Sequence, residues 1–80
     1  MHYVYLIESV HDRAKHYVGQ TGDLRLRISE HNSGKCVHTA GYRPWHLVCY
    51  LGFPDERKTI AFEHYMKSGS GRTFLRRHFL

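Results

Sequence analysis

Two short tyrosine-bearing segments, with a helix-patterned stretch directly behind them, constrain what this chain can fold into. Residues 3–7 read Tyr-Val-Tyr-Leu-Ile and residues 17–21 read Tyr-Val-Gly-Gln-Thr. In extended backbone, successive side chains point to opposite faces. Tyr3, Tyr5 and Ile7 therefore share one face of the first segment, and Val4 and Leu6 share the other. Tyr17, Gly19 and Thr21 share a face of the second, with Val18 opposed. Paired as a hairpin with Val4, Leu6 and Val18 on one side, the segments bring Tyr5 and Tyr17 out together on the other. In the helical stretch that follows Thr21-Gly22-Asp23, Arg27 and His31 are four residues apart and so lie on one helix face. Two phenols, a guanidinium and an imidazole thus converge on one cleft.

The rest of the chain alternates in the same way. Strands are expected over about 2–9 and 15–21, joined by the polar residues 10–14. The helix over about 23–33 has Asp23 as N-cap and Gly34 as its stop, with Leu24 and Ile28 as its apolar stripe. Residues 35–44 read as a loop carrying Gly41, Tyr42 and Arg43, and 45–51 as a third strand that Gly52 ends. Asp55 caps a second helix, in which Ala61, Phe62, Tyr65 and Met66 form a broad apolar arc with Glu63 at its margin. Residues 68–71, Ser-Gly-Ser-Gly, break that helix, and 72–80 read as a short terminal helix held by Phe74, Leu75 and Phe79. The expected fold is α+β: a small three-stranded antiparallel sheet flanked by helices, in the order β-β-α-β-α-α.

Eighty residues suit one domain, 1–80, with a core that has little stability to spare. A content of 41% hydrophobic and 14% aromatic residues is too apolar for a disordered chain. No apolar run approaches the roughly 20 residues that span a bilayer, and the first residues lack the charged and apolar regions of a secretory signal. A cytoplasmic protein is the expectation. Twelve Lys and Arg against seven Asp and Glu give a formal charge of +5, which favours a polyanionic partner. Cys36 and Cys49 are too few for a disulfide framework. With His38 and His46 they suggest a zinc set, but strict alternation along the third strand sets His46 and Cys49 on opposite faces, which argues against it.

Tyr-Val-Tyr at 3–5, Tyr-Val-Gly-Gln-Thr at 17–21 and Asp-Leu-Arg-Leu-Arg-Ile-Ser-Glu-His-Asn-Ser-Gly at 23–34 resemble the GIY-YIG nuclease superfamily over nearly the whole chain. The resemblance is greatest to small members consisting of the nuclease domain alone. Either tyrosine triplet alone is a weak signal, whereas the combination is specific. Tyr5 and Tyr17 match the tyrosines of the two motifs, Arg27 the motif arginine, His31 the histidine one turn later, and Glu63 the glutamate of the following helix. The resemblance implies a metal-dependent endonuclease. Tyr17 is its general base, Arg27 stabilises charge on the phosphate, and Glu63 holds Mg²⁺ or Mn²⁺. Tyr5 orients the water or a phosphate, and His31 hydrogen-bonds a phenol or the substrate. One carboxylate completed by waters and substrate oxygens is an ordinary arrangement for Mg²⁺. A phenol, with its usual pKa near 10, needs nearby positive charge to act as a base.

Two features depart from the family pattern: Tyr3 replaces the glycine of the first triplet, and residues 72–80 lack an asparagine many relatives carry there. The partner expected is DNA, with RNA left open, and a role in repair or recombination. Lys35 and Arg43 in the loop, Lys67, and Arg72 and Arg76 in the terminal helix are the candidate nucleic-acid contacts. Two alternatives stand beside the nuclease: a binding module that keeps the fold without catalysis, and a subunit active only with a protein partner that supplies specificity. On spacing alone, each candidate residue is an ordinary packing or surface residue.

Overall fold

A computed structural model describes residues 1–80. Strands β1 (His2–Ser9) and β2 (His16–Thr21) precede helix α1 (Leu24–Ser33) and a single helical turn, α2 (Val37–Ala40). Strand β3 (Trp45–Phe53) and helices α3 (Glu56–Lys67) and α4 (Gly69–His78) complete the chain. The sheet is antiparallel throughout, in the order β2-β1-β3. The α+β fold is therefore the expected one, with α2 as an addition inside the segment read as loop.

The central strand explains its own composition. Every residue from Val4 to Ser9 is buried, because helices cover both faces of the sheet and neither side of β1 meets water. Val4 and Leu6 pack with Met66 and Leu75, flanked by Val18, Cys49, Phe53, Phe62 and Phe74. On the opposite face Tyr5, Ile7 and Trp45 pack with Tyr17, Leu24 and Ile28. The register pairs Tyr5 with Gly19 and Ile7 with Tyr17, so both tyrosines emerge on the α1 side as the alternation requires. Gly19 is glycine for a steric reason: a Cβ there would fall on the Tyr5 hydroxyl.

Four details correct the sequence-based expectation. Strand β3 runs on through Gly52 and Phe53, which pair with Tyr3 and His2. It also carries a bulge: Leu6 pairs with Cys49 but Ile7 with Leu47, leaving Val48 as the extra residue. The bulge puts His46, opposite Glu8, on the same face as Cys49, opposite Leu6. The alternation argument against a zinc set therefore fails. What separates its members is location, for Cys36 caps α2 beside α1 while Cys49 packs in the cluster on the other face.

In α3 the buried positions are Thr59 and Met66, with Phe62 half-buried, while Ala61 and Tyr65 turn outward. Thr59 can be buried because its hydroxyl donates to the Asp55 carbonyl at 3.0 Å, an option that a wheel scored on hydrophobicity overlooks. Finally, α4 begins at Gly69, with Ser68 as N-cap; its Oγ accepts from the Gly71 N–H at 3.2 Å. Gly71 seats the helix against its predecessor, since a Cβ there would fall on the Tyr65 carbonyl and the Met66 backbone.

Candidate active site

Helix α1 lies across the sheet with Leu24 and Ile28 in the core, and the same pitch turns Arg27 and His31 toward the two tyrosines. Asp23 caps it by accepting from Leu26 N–H at 3.1 Å. Asn32 then ties its last turn to β3: its Oδ1 accepts from Trp45 N–H at 2.6 Å and its Nδ2 donates to Trp45 O at 3.1 Å. The helix is thus pinned at both ends.

Tyr5 is 2% exposed and His31 0%. The Tyr5 hydroxyl lies 2.7 Å from His31 Nε2, and His31 Nδ1 lies 2.8 Å from the hydroxyl of Thr39, itself 1% exposed. Both ring nitrogens of His31 are therefore occupied inside the protein, by one phenol and one alcohol. The Arg27 guanidinium sits beside the Tyr5 hydroxyl and is braced by Glu30, Nη1 to Oε1 at 3.1 Å. Burial pushes the Tyr5 phenol up to about 12 despite Arg27, so it stays protonated. Burial and the neighbouring Arg27 charge both push His31 below its usual value, and it is neutral at pH 7. The Tyr5 hydroxyl holds Arg27 firmly protonated.

Tyr17, half-buried, stands next to this cluster with its ring 5.1 Å from that of His31. Lys67 Nζ lies 5.3 Å from the centre of the Tyr17 ring. One turn back on α3, Glu63 reaches the same ammonium at 3.5 Å. Its side chain is only 16% exposed, on the margin of the helix face turned to the sheet. Arg27 and His31 thus both lie at the Tyr5 hydroxyl, Tyr17 packs beside His31 with its ring tilted, and Glu63 joins the run through Lys67. An open groove of about 800 Å³ continues from Tyr17 and Lys67 along α4, with Arg72 and Arg76 on its rim and Leu6, Val18, Met66 and Leu75 among its apolar lining.

The candidate cations therefore fall into two groups. Lys67, Arg72 and Arg76 line the groove beside Tyr17. Lys35 and Arg43 are gathered at the C-terminal end of α1, where the Arg43 guanidinium lies against Gly34 and its Nε donates to Ala40 O at 2.8 Å. Glu63 is the carboxylate suited to a divalent ion. Its neighbours are the Lys67 ammonium at 3.5 Å and the His64 ring at 4.0 Å, and no group of three potential ligands surrounds it. That donor set fits an ion that keeps most of its waters and does not fit a closed protein cage.

Sequence reasoning missed Thr39, which sits in a stretch with no periodicity, and missed that Lys67 links Glu63 to Tyr17. It also missed a second polar cluster, in which buried Glu8 meets His16 at 2.9 Å, His46 at 3.3 Å and Arg13 at 3.4 Å. The His16 hydrogen bond leads in holding the Glu8 carboxyl below its usual range.

The sheet, the tyrosine pair and the Arg27–His31 helix together define the class: the chain belongs to the GIY-YIG family, whose catalytic-domain profile matches residues 1–76. It is 35% identical over 68 residues to a UPF0213 protein of Haloquadratum walsbyi, a match taking in 84% of this chain and 74% of that one. The solution structure of a UPF0213 protein from Bacillus halodurans superposes with a TM-score of 0.57 at 33% identity, covering 95% of this chain and 82% of that one. The chain is also 34% identical over 68 residues to the structure-specific endonuclease subunit SLX1 of Debaryomyces hansenii. That match covers 76% of this chain but 20% of the relative, so the chain spans about a fifth of that protein's length. No helix is long and apolar enough to cross a membrane.

Proposed function

We propose that the chain is a divalent-metal-dependent endonuclease that hydrolyses phosphodiester bonds in DNA with little sequence specificity, in repair or recombination. The observation that carries this is the continuous run of contacts across β2. Tyr5 and His31 are 2.7 Å apart, the His31 and Tyr17 rings 5.1 Å, Tyr17 and Lys67 5.3 Å, and Lys67 and Glu63 3.5 Å. Tyr5, Tyr17 and His31 come from three different elements, and α3 brings Lys67 and Glu63, an i,i+4 pair, to the same edge.

Hydrolysis forms a bond from a water oxygen to phosphorus and breaks the bond from phosphorus to the 3′ oxygen. Tyr17, the half-buried tyrosine of the pair, receives the water's proton as its phenolate and so returns to the phenol, and the departing oxygen takes one from solvent. Arg27 binds the phosphate through a fork whose charge is permanent. Tyr5 is buried, so it works from behind, holding the guanidinium rather than touching the water or the phosphate. Glu63 would hold a divalent ion, whose chemistry would be to offset negative charge on the phosphate. Lys67, Arg72 and Arg76 carry the flanking backbone along the groove.

The test is cleavage of labelled single-stranded, duplex, flap and branched DNA and of single-stranded RNA, each with Mg²⁺, Mn²⁺ or EDTA, by wild type and Glu63→Gln. Metal-dependent products that fall roughly a hundredfold or more in the variant, with binding retained, are expected. Tight, salt-sensitive binding without products from any substrate would replace this function with that of a binding module. A subunit that cleaves only with a partner is the alternative prompted by the word "subunit" in the name of the SLX1 relative; adding a partner protein would then restore products.

A further inference from the structure

Five buried or half-buried groups form a chain whose two ends can each play only one part. At one end is the Arg27 guanidinium, which has donors and no acceptor; it faces the Tyr5 oxygen. At the other is the carbonyl of Cys36, an acceptor only, 3.4 Å from the Thr39 hydroxyl. Between them stand Tyr5, His31 and Thr39, joined at 2.7 and 2.8 Å. Because Arg27 can only donate, the Tyr5 hydrogen cannot point toward it and must go to His31 Nε2. That nitrogen is then the bare one, so the imidazole hydrogen resides on Nδ1 and is given to Thr39, whose own hydrogen goes to the Cys36 carbonyl. The opposite tautomer would leave the Tyr5 hydrogen without an acceptor at a site excluded from water, and buried polar groups in native structures rarely go unpaired.

We infer that Thr39 is a positioning residue of the site: its hydroxyl fixes the Nδ1–H tautomer of His31, which turns the Tyr5 hydroxyl so that its lone pairs hold Arg27 toward the phosphate. Trp45 in turn holds Thr39, its indole N–H donating to the Thr39 carbonyl at 2.9 Å. Nothing in the local sequence marks Thr39 for this part, and its hydroxyl touches neither Arg27 nor the groove. Only the kinetic arm of its test rests on the nuclease function proposed above.

The experiment compares wild type, Thr39→Val and Thr39→Ser. Long-range ¹H–¹⁵N correlation of the imidazole reads the tautomer directly, without substrate or metal. Wild type and Thr39→Ser are expected to carry the hydrogen on Nδ1 of His31. In the valine variant, which keeps the shape and loses the acceptor, either tautomer strands one hydrogen, so the preference is lost and the Nε2–H form is expected to become populated. Under the nuclease function, kcat falls roughly tenfold to a hundredfold in Thr39→Val, by analogy with loss of the outer partner of a functional histidine. KM stays nearly unchanged, and serine restores kcat. A wild-type His31 protonated on Nε2 would overturn the inference whether or not the valine variant folds. So would a valine variant that keeps the wild-type tautomer alone, or a serine variant that behaves like valine. If wild type cleaves nothing, the nuclease function fails and the tautomer measurement still decides the role of Thr39.

Discussion

At the scale of single residues, the site is a set of groups whose surroundings leave them little choice. Tyr5→Phe keeps the ring in its slot but removes the hydroxyl from between His31 Nε2 and Arg27. It should cost about 1–3 kcal/mol, the usual penalty for stranding buried polar groups, and chemical denaturation of the variant beside wild type measures it. His31 gives a pH dependence. The groups facing it are Tyr5 from β1, Tyr17 from β2, Arg27 and Glu30 on its own helix and Thr39 from α2. Its folded pKa is depressed, so the unfolded chain takes up the proton more readily. The stability due to neutral His31 is complete above the unfolded pKa of about 6.5 and falls as pH drops from there toward the folded value. Unfolding free energies at pH 7.5, 6.5 and 5.5 should decline more steeply for wild type than for His31→Gln, and parallel lines would refute this. Tyr5, Tyr17, Arg27 and His31 are legible in sequence because period two and period 3.6 each survive intact where they lie. Thr39 is not, because its burial comes from the fold of an aperiodic segment over α1.

At the scale of elements, the junction between α3 and α4 is the sharpest case. Four small residues in a row read as a break, yet only Ser68 lies outside the helices. Glycines differ in what surrounds them, which composition does not reveal. Gly71→Ala drives a methyl group into the α3 backbone and should destabilise by roughly 2 kcal/mol or more. Gly69→Ala, two residues earlier with open space around it, should be neutral or stabilise by about 0.5–1 kcal/mol. Thermal unfolding of the two variants separates them, and equal shifts would count against the close seating of α4. The elements themselves were readable from caps and strand formers: Asp23, Asp55 and Gly34 stand at helix ends as expected. The outward turn of Tyr65 was not, because half of its environment is set by α4.

At the scale of the molecule, the charge of +5 is divided, with Lys67, Arg72 and Arg76 on the groove and Lys35 and Arg43 at the far end of α1. If the backbone of a nucleic acid follows the groove, Arg72→Ala and Arg76→Ala should each lower the slope of log affinity against log salt by about 1. Arg13→Ala, on the Glu8 cluster, should leave the slope unchanged, and fluorescence anisotropy over a salt series checks all three. The bulge at Val48 acts over the same distances. Without it, Trp45 and Leu47 have odd parity and Tyr50 and Gly52 even, so the two halves of β3 could not serve the same side of the sheet. Val48 is a phase shift that lets both halves do so, and it aims the Trp45 indole at the Thr39 carbonyl. An irregularity on the outer strand thereby helps to hold Thr39 against His31, two elements away. Deleting Val48 would join Leu47 to Cys49 as a regular ladder opposite Ile7 and Leu6, with Trp45 still opposite Ser9, so the bulge is what lets a strand with this one extra residue keep both halves in phase.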